Sequence, residues 1–193
     1  MTSGEAGAHA LVLLSGGIDS AVVAALASRN GFDVRALHVS YGQAAAAAER
    51  RAAMAVAAAL NVPLDVVEYD GRPGFGAGEI RGRNSFLIHA AVLELAAPRG
   101  VIMLGIHTGT DFPDCEPDFV EATRAVLALT TAGAVDLVAP LALLTKGDVV
   151  RVARDLAIDV AATHSCEAAD VPCGDCQSCR DRTAILAEAD ARA

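Results

Sequence analysis

The fold of this chain is decided by the stretch Leu11-Val-Leu-Leu-Ser15-Gly16-Gly17-Ile18-Asp19-Ser20. Its apolar half, Leu11 to Leu14, predicts a buried strand, and the apolar-periodic segment after Ser20 predicts a helix that ends near Asn30-Gly31. The two glycines between them allow a tight turn and a close approach of the backbone to a ligand. Because a helix start presents unpaired N–H groups, and Ser15 and Ser20 add hydroxyls, this turn is predicted to bind phosphate.

The spacing of this turn separates it from two better-known phosphate loops. A Walker loop needs a longer glycine spacing and a Lys before its Ser or Thr, and a dinucleotide fingerprint needs a third glycine. The remaining pattern, Ser-Gly-Gly-x-Asp-Ser, resembles the signature of the ATP pyrophosphatase (PP-loop) families. That resemblance implies that the pyrophosphate of ATP binds here, that attack on the α-phosphate leaves an adenylate, and that Asp19 helps to hold Mg²⁺. An ordinary strand-to-helix turn is the alternative.

Strands and helices alternate along the rest of the chain. Apolar runs predict strands at 34–39, 64–69, 101–105 and 135–138, and the segments between or after them predict helices at 44–60, 82–97, 116–130 and 147–156. Such alternation is typical of an α/β fold with a parallel, doubly wound sheet, here of about five strands, whose ligands bind at the strands' carboxyl ends. The glycine-rich segment 70–82 is predicted to be a mobile loop or lid.

Length and composition favour a cytoplasmic enzyme with a small-molecule substrate. A chain of 193 residues fits one α/β domain, placed at 1–162, and a small C-terminal segment, placed at 163–193. No apolar run approaches the roughly 20 residues of a membrane span, and Met1 to Ala10 lack the basic residues of a secretory signal. With 24 acidic against 15 basic residues, the net charge of −9 disfavours a broad nucleic-acid interface.

Four cysteines crowd the C-terminal segment. Their spacing, C-x6-C-x2-C-x2-C, suits a tetrahedral Zn²⁺ site formed by Cys166, Cys173, Cys176 and Cys179. An iron–sulfur cluster is the alternative, although its familiar run adds a later cysteine before a proline; free thiols are a third reading. A site closed by four cysteines has no open position, so the predicted zinc is structural and the segment after it forms a last helix.

Charged and polar residues near the predicted strand ends are candidates for chemistry. Lys146 and Arg83 are candidate phosphate ligands, because fixed cations stabilise the charge of an adenylation transition state. Asp111 and Asp114 could hold Mg²⁺ or position an amine or ammonia, although acidic residues beside proline also form ordinary turns. His164 could transfer protons near neutral pH.

Further motifs, spread over nearly the whole chain, resemble the family of 7-cyano-7-deazaguanine synthases, PP-loop enzymes of the queuosine pathway. Besides the Ser-Gly-Gly turn, they are Tyr41-Gly-Gln43, Gly82-Arg-Asn84, Pro113-Asp-Cys115, Pro140-Leu141 with Lys146, and Thr163-x-Ser-Cys166 with the other three clustered cysteines and Arg182. The resemblance implies a homodimer with structural zinc. It also implies an ATP-dependent ligase that converts 7-carboxy-7-deazaguanine and ammonia to the amide and then to the nitrile through adenylated intermediates, releasing AMP and pyrophosphate.

The same resemblance implies roles for individual residues. The implied catalytic residues are Asp19, Arg83, Asp114 and Lys146. ATP is expected to contact Leu14, Ser15, Gly16, Gly17, Ile18, Asp19, Ser20 and His38. The deazaguanine acid is expected to contact Tyr41, Gln43, Asn84, Asp111, Phe112 and His164.

The chain departs from this family on the side expected to bind the acid. Family members usually carry Ser-Gly-Tyr before Pro-Asp-Cys and Arg after it, whereas here Asp111-Phe112 precedes Pro113 and Glu116 follows Cys115. A carboxylate at Glu116 is expected to repel an anionic substrate group. A divergent branch is therefore an alternative: one that stops at the amide, or that joins the acid to another amine such as a protein terminus in a defence system.

Two more distant functions remain as alternatives. A PP-loop tRNA thiolase would need a basic RNA-binding surface and redox-active cysteines, which the acidic charge and the clustered cysteines disfavour. A non-enzymatic zinc-knuckle interaction module would bind partners without turning over ATP. Release of pyrophosphate distinguishes an enzyme from that module.

Overall fold

The computed structural model describes residues 7–70, 75 and 78–190, and this part of the chain forms one parallel sheet flanked by helices. The strands are β1 (His9–Leu13), β2 (Asp33–Ser40), β3 (Leu64–Glu68), β4 (Gly100–Met103) and β5 (Val135–Val138). The helices are α1 (Ile18–Arg29), α2 (Ala46–Leu60), α3 (Arg83–Glu94), α4 (Pro117–Thr130), α5 (Lys146–Asp155) and α6 (Gln177–Asp190). The predicted α/β class and the predicted five strands are confirmed.

The strand order places the carboxyl end of β1 at the centre of the sheet. The order is β3-β2-β1-β4-β5, with every neighbouring pair parallel. The chain therefore builds outward from β1 in one direction through β2 and β3, and then in the other through β4 and β5. The point where the direction reverses, between β1 and β4, is where ligands bind in open α/β sheets.

Alternating side chains of β1 supply two separate cores, one on each face of the sheet. Ala10 and Val12 join a cluster with α1, α2 and α5, whereas Leu11 and Leu13 join a cluster with α3 and α4. Helix α1 is buried along most of its length because it lies between the sheet and other helices, and its small alanine and valine side chains permit that close packing. The sheet is thus doubly wound, as predicted.

The element ends differ from prediction where proline and glycine intervene. Helix α3 stops at Glu94 rather than Ala97, because Pro98 disfavours helical backbone in the residue before it. Strand β4 covers 100–103 rather than 101–105, and its chain then leaves the sheet to form the wall of a cavity. Residues 71–74, 76 and 77 of the predicted lid at 70–82 lie outside the described residues.

The C-terminal segment packs against the sheet domain. In α6, Ile185 and Leu186 contact the core cluster that also contains α1 and α5. Arg182 of the same helix donates to the Thr163 and Ser165 hydroxyl oxygens, at 2.8 and 3.0 Å, and to the Val160 carbonyl. The division at residue 163 stays a prediction.

Within the described residues, no helix has both the length and the hydropathy required to cross a membrane.

Candidate active site

The turn between β1 and α1 forms a cradle of hydroxyl and amide groups. The Ser15 and Ser20 hydroxyl oxygens lie 3.1 Å apart, and the Gly17 N–H donates to Ser15 Oγ at 3.3 Å. Ser20 also donates to the Gly17 carbonyl at 3.0 Å, which ties the hydroxyl of α1 to the turn before it. The result is a set of hydroxyls gathered at a helix N-terminus, an arrangement suited to an anion.

Two glycines allow neighbouring backbones to approach this cradle closely. Gly16 has φ +93°, and a Cβ there would lie 2.5 Å from the Glu49 carbonyl oxygen of α2. Gly105, just after β4, runs against the start of α1: a Cβ there would lie 2.9 Å from the Asp19 carbonyl carbon and the Ser20 nitrogen. Any larger residue at either position would push the cradle away from its support.

Gly105→Ala is therefore expected to lower the melting temperature by several degrees, from about 1–3 kcal/mol of steric strain, and to weaken nucleotide binding. Gly147→Ala is the matched control, because a Cβ there meets its nearest atom, Thr145 Oγ1, at 3.9 Å. Thermal unfolding of both variants, followed by ATP titration, tests this prediction. Equal melting temperatures for the two variants would contradict it.

A lysine from α5 closes the cradle on the opposite side. Lys146 Nζ lies 2.7 and 2.6 Å from the two carboxylate oxygens of Asp19. Lys146 is held there because Thr145 and Asp148 form a capping box that fixes the start of α5. Two residues predicted to act on ATP are thus brought into contact, and each neutralises the other in this structure.

The cradle opens into a cavity of about 910 Å³ at the carboxyl ends of β1, β2 and β4. Of the residues predicted to bind ATP, the acid or phosphate, all line this cavity except Gly16 and Asp114. A cavity of this size is of the order of those that hold small molecules. The structure therefore gathers residues from distant parts of the sequence into one candidate site.

His38 lies on the cavity wall at the end of β2. Its ring is buried and its Nδ1 lies 3.0 Å from the Leu14 carbonyl oxygen. Burial is the largest influence on its pKa, which is lowered, so the neutral ring donates from Nδ1. Nε2 is then a buried acceptor without a partner among the described residues, as a ligand-facing acceptor would be.

The wall that follows β2 carries a short chain of hydrogen bonds. The Tyr41 N–H donates to Gln43 Oε1 at 2.8 Å, and Gln43 Nε2 donates to Glu49 Oε2 at 2.8 Å. The Tyr41 ring is steadied by edge-on contacts with Phe75 and Phe86, at centroid distances of 5.9 and 6.3 Å. Glu49, which the motif analysis did not single out, thus enters the site through α2.

The Pro-Asp-Cys segment braces the start of α3. The Asp114 carboxylate accepts from the Asn84 N–H at 3.2 Å, and the Asp114 carbonyl accepts from Asn84 Nδ2 at 2.9 Å. This bracing explains why Asp114 lies behind the cavity wall while Asn84 lines it. Cys115 is buried, and burial raises the pKa of its thiol, which does not favour a nucleophile.

Glu116 does not occupy the position expected from the sequence. It is exposed at the start of α4 and does not line the cavity. The expected repulsion between Glu116 and an anionic substrate group therefore has no structural basis here, whereas Asp111 and Phe112 do line the cavity.

A strap formed by 163–170 joins the cradle to the C-terminal cysteines. The His164 N–H donates to the Gly16 carbonyl at 2.9 Å, and the His164 ring lies 3.1 Å from the Cys166 carbonyl oxygen and 3.2 Å from that of Ala169. The backbone of His164 thereby fixes the cradle, and His164 also lines the cavity.

The four C-terminal cysteines converge on one point. The sulfur atoms of Cys166, Cys173, Cys176 and Cys179 all lie within 4.8 Å of one another. Tetrahedral zinc, with sulfurs about 2.3 Å away, would place them about 3.8 Å apart, so the cluster fits this ion after a small contraction. The Cys176 N–H points at Cys173 Sγ, at 3.3 Å, as backbone amides do around metal thiolates.

A cradle of hydroxyls and amides at the switch point of a parallel sheet, built from the sequence Ser-Gly-Gly-x-Asp-Ser, gives the chain the PP-loop type of nucleotide-binding fold. The family model for Queuosine biosynthesis protein QueC matches residues 9–78 and 75–190. The chain therefore belongs to that family.

Named relatives agree with this assignment. A 7-cyano-7-deazaguanine synthase of Synechococcus elongatus is 38% identical, over 94% of this chain and 92% of its own. A protein of the same name from Xanthomonas campestris pv. campestris is 36% identical, over 93% of both chains. Among solved structures, a predicted subunit of a tRNA methyltransferase from Methanocaldococcus jannaschii covers 76% of this chain and 74% of its own, with a TM-score of 0.52 and 17% identity, which supports the fold alone.

Proposed function

We propose that this protein is an ATP-dependent ligase that adenylates 7-carboxy-7-deazaguanine and converts it with ammonia to the amide and then to 7-cyano-7-deazaguanine. The observation that carries this proposal is the contact between Lys146 and Asp19 at the mouth of the Ser15–Ser20 cradle, 2.6 Å at its shortest, inside the cavity. The 33–38% identity to proteins named as 7-cyano-7-deazaguanine synthases supports the choice of substrate.

In the proposed first step, a carboxylate oxygen of the acid attacks the α-phosphorus of ATP and pyrophosphate leaves. The Ser15 and Ser20 hydroxyls and the α1 amides bind the pyrophosphate, and Lys146 leaves Asp19 to stabilise charge on the phosphates. Asp19, freed from Lys146, is the carboxylate that would hold Mg²⁺, an ion that favours oxygen ligands and neutralises phosphate charge when bound. His38 Nε2 offers an acceptor for an N–H of the nucleotide.

In the next proposed steps, ammonia attacks the acyl carbon, AMP leaves, and the added nitrogen loses a proton to water, which gives the amide. A further adenylation of the amide oxygen makes that oxygen a leaving group, and its departure with AMP, together with loss of the amide protons, forms the nitrile. Arg83, Asn84 and Tyr41 line the side of the cavity where the acid would bind. The proposal includes structural zinc at the four cysteines and a homodimer.

Mass spectrometry of reactions with ATP, Mg²⁺ and 7-carboxy-7-deazaguanine, with and without ammonium, tests this function. We expect pyrophosphate and the acyl adenylate in both reactions, and AMP, the amide and the nitrile only in the reaction that contains ammonium. An amide that accumulates without nitrile would indicate the divergent branch. If no pyrophosphate forms with the acid present, the proposed function is wrong.

A further inference from the structure

One carboxylate in the cavity has no role in the steps above. Glu49 lies in the first turn of α2, and its side chain is half-buried on the cavity wall. Gln43 Nε2 donates a hydrogen bond to Glu49 Oε2 at 2.8 Å, and Gln43 Oε1 in turn accepts from the Tyr41 N–H. Within the described residues Oε1 accepts no hydrogen bond, so a held carboxylate keeps one oxygen for a ligand.

The other carboxylates of the cavity are already engaged or exposed. Asp19 pairs with Lys146 at 2.6 Å. Glu167 accepts from the Gly78 N–H at 3.3 Å and from the Ser178 hydroxyl.

Two more carboxylates line the cavity, those of Asp181 and Asp111. Asp181 accepts from Gln177 Nε2 at 2.7 Å, and Asp111 is exposed. In the part of the chain that the structure describes, Glu49 and Asp181 are thus the half-buried cavity carboxylates with one neutral hydrogen-bond donor each. The bond to Asp181 is exposed to solvent, whereas the bond to Glu49 is partly buried.

The surroundings of Glu49 adjust its basicity. Burial raises the pKa of the Glu49 carboxyl, and this effect is opposed by the Gln43 hydrogen bond and by the electrostatic influence of His164 and Arg83. Glu167 adds a raising effect. Besides these groups from the segment after β2, from α3 and from the strap, the Tyr41 hydroxyl interacts with Glu49 electrostatically. The carboxylate is therefore a stronger base than an exposed one, as a proton acceptor requires.

The step that forms the amide requires a group that can accept a proton. Ammonia is mostly ammonium near neutral pH, and ammonium has no lone pair with which to attack an acyl carbon. A site that uses ammonium must bind a small cation and remove one proton from it.

We propose that Glu49 binds ammonium through Oε1 and accepts its proton, delivering neutral ammonia to the acyl adenylate; this inference rests on the proposed function. The N–H bond of ammonium breaks and its proton passes to Oε1. The nitrogen lone pair then attacks the acyl carbon, the C–O bond to AMP breaks, and AMP leaves with that electron pair. The nitrogen now bonded to the acyl carbon loses one further proton to water, which gives the neutral amide. Glu49 returns its proton to solvent through the open cavity.

Glu49→Gln tests this proposal because it removes the charge and keeps the shape. We expect acid-dependent exchange of pyrophosphate into ATP to stay within a few-fold of wild type, and amide formation from ammonium to fall about 100-fold or more. The residual rate should rise with pH in proportion to free ammonia. Hydroxylamine, which is largely neutral near neutral pH, should still give the hydroxamate. Glu94→Gln, on an exposed carboxylate of α3, is the matched control.

Gln43→Ala gives a second, independent readout. It removes the donor that stabilises ionised Glu49, so the pKa of Glu49 rises and the pH profile of amide formation should move to higher pH. A purely structural role for Gln43 would lower the rate without moving the profile.

The outcomes separate this inference from the proposed function. Wild-type exchange with unchanged amide formation in Glu49→Gln would overturn the role of Glu49 alone. Equal loss of exchange, hydroxamate and amide in that variant would also overturn it, since Glu49 would then serve adenylation or the fold. Absence of exchange in the wild-type protein would overturn the proposed function and this inference with it.

Discussion

Asp19→Asn is expected to reduce acid-dependent exchange of pyrophosphate into ATP by about 100- to 1,000-fold while leaving the fold intact. Asp19 lies at the second position of α1 and contacts Lys146 through both carboxylate oxygens, at 2.7 and 2.6 Å. The variant keeps the side-chain shape but loses the charge that positions Lys146 and would hold Mg²⁺. Two functions of one carboxylate are lost together, hence the large effect.

Asp118→Asn is the matched control, because Asp118 occupies the same position of helix α4 and is exposed. Its exchange rate should match wild type. Circular dichroism and thermal unfolding establish that both variants fold.

Ser15→Ala should reduce the same exchange, since Ser15 Oγ lies 3.1 Å from Ser20 Oγ and accepts from the Gly17 N–H. Ser28→Ala, near the far end of α1, is its control because the Ser28 hydroxyl donates to the Ala24 carbonyl of the same helix and to no other group among the described residues. Near-normal exchange in both Asp19→Asn and Ser15→Ala would remove the cradle from the mechanism.

The fold could be predicted because its signals are local. The apolar run of β1, the glycine pair after it and the regular alternation of strands and helices each lie within short windows of sequence. Parallel sheets with right-handed crossovers then leave few possible arrangements. The end of α3 was mispredicted because apolar residues continue past Glu94, whereas the effect of Pro98 acts on the backbone before it.

The site could be predicted only in part, because several of its contacts join distant segments. Lys146 was proposed from its charge, but its pairing with Asp19 joins residues that are 127 positions apart. Gly105 and Glu49 were missed for the same reason. Gly105 contacts the cradle and Glu49 lines the cavity only in the folded chain, and the spacing of residues in the sequence does not indicate either contact. A glycine directly after a predicted strand was the one available signal for Gly105.

Asp114, in contrast, was predicted as a catalytic residue but does not line the cavity. Its motif indicated chemistry, yet in the structure its carboxylate bonds the Asn84 backbone at the start of α3. A residue can belong to a functional motif by holding a neighbour in place. Its predicted catalytic role stays a prediction.

The C-terminal cysteines were predictable from spacing, but their connection to the cradle was not. The His164 N–H donates to the Gly16 carbonyl at 2.9 Å, two residues before the first clustered cysteine. Arg182, three residues after the last one, holds both Thr163 and Ser165. A metal at the cluster would therefore stabilise the strap that supports the cradle.

Cys176→Ala is expected to lose the bound metal, lower the melting temperature and make 163–190 sensitive to protease. The wild-type protein should hold about one colourless zinc per chain, because binding energy at a four-thiolate site is folding energy. Metal analysis, thermal unfolding and limited proteolysis measure these effects. Cys115→Ala, which removes a thiol outside the cluster, should keep both the zinc and the protected segment.

The Cys176→Ala variant also shows whether the metal supports the strap or takes part in the reaction. A closed four-cysteine site cannot activate water, so losing it should weaken ATP binding in proportion to the loss of strap order and leave the pH profile of exchange unchanged. The bond from His164 to Gly16 transmits that effect. Stoichiometric iron with a visible absorbance band would contradict the zinc assignment. A metal-free protein with wild-type stability and exchange would contradict the structural role, because the strap would then hold the cradle unaided.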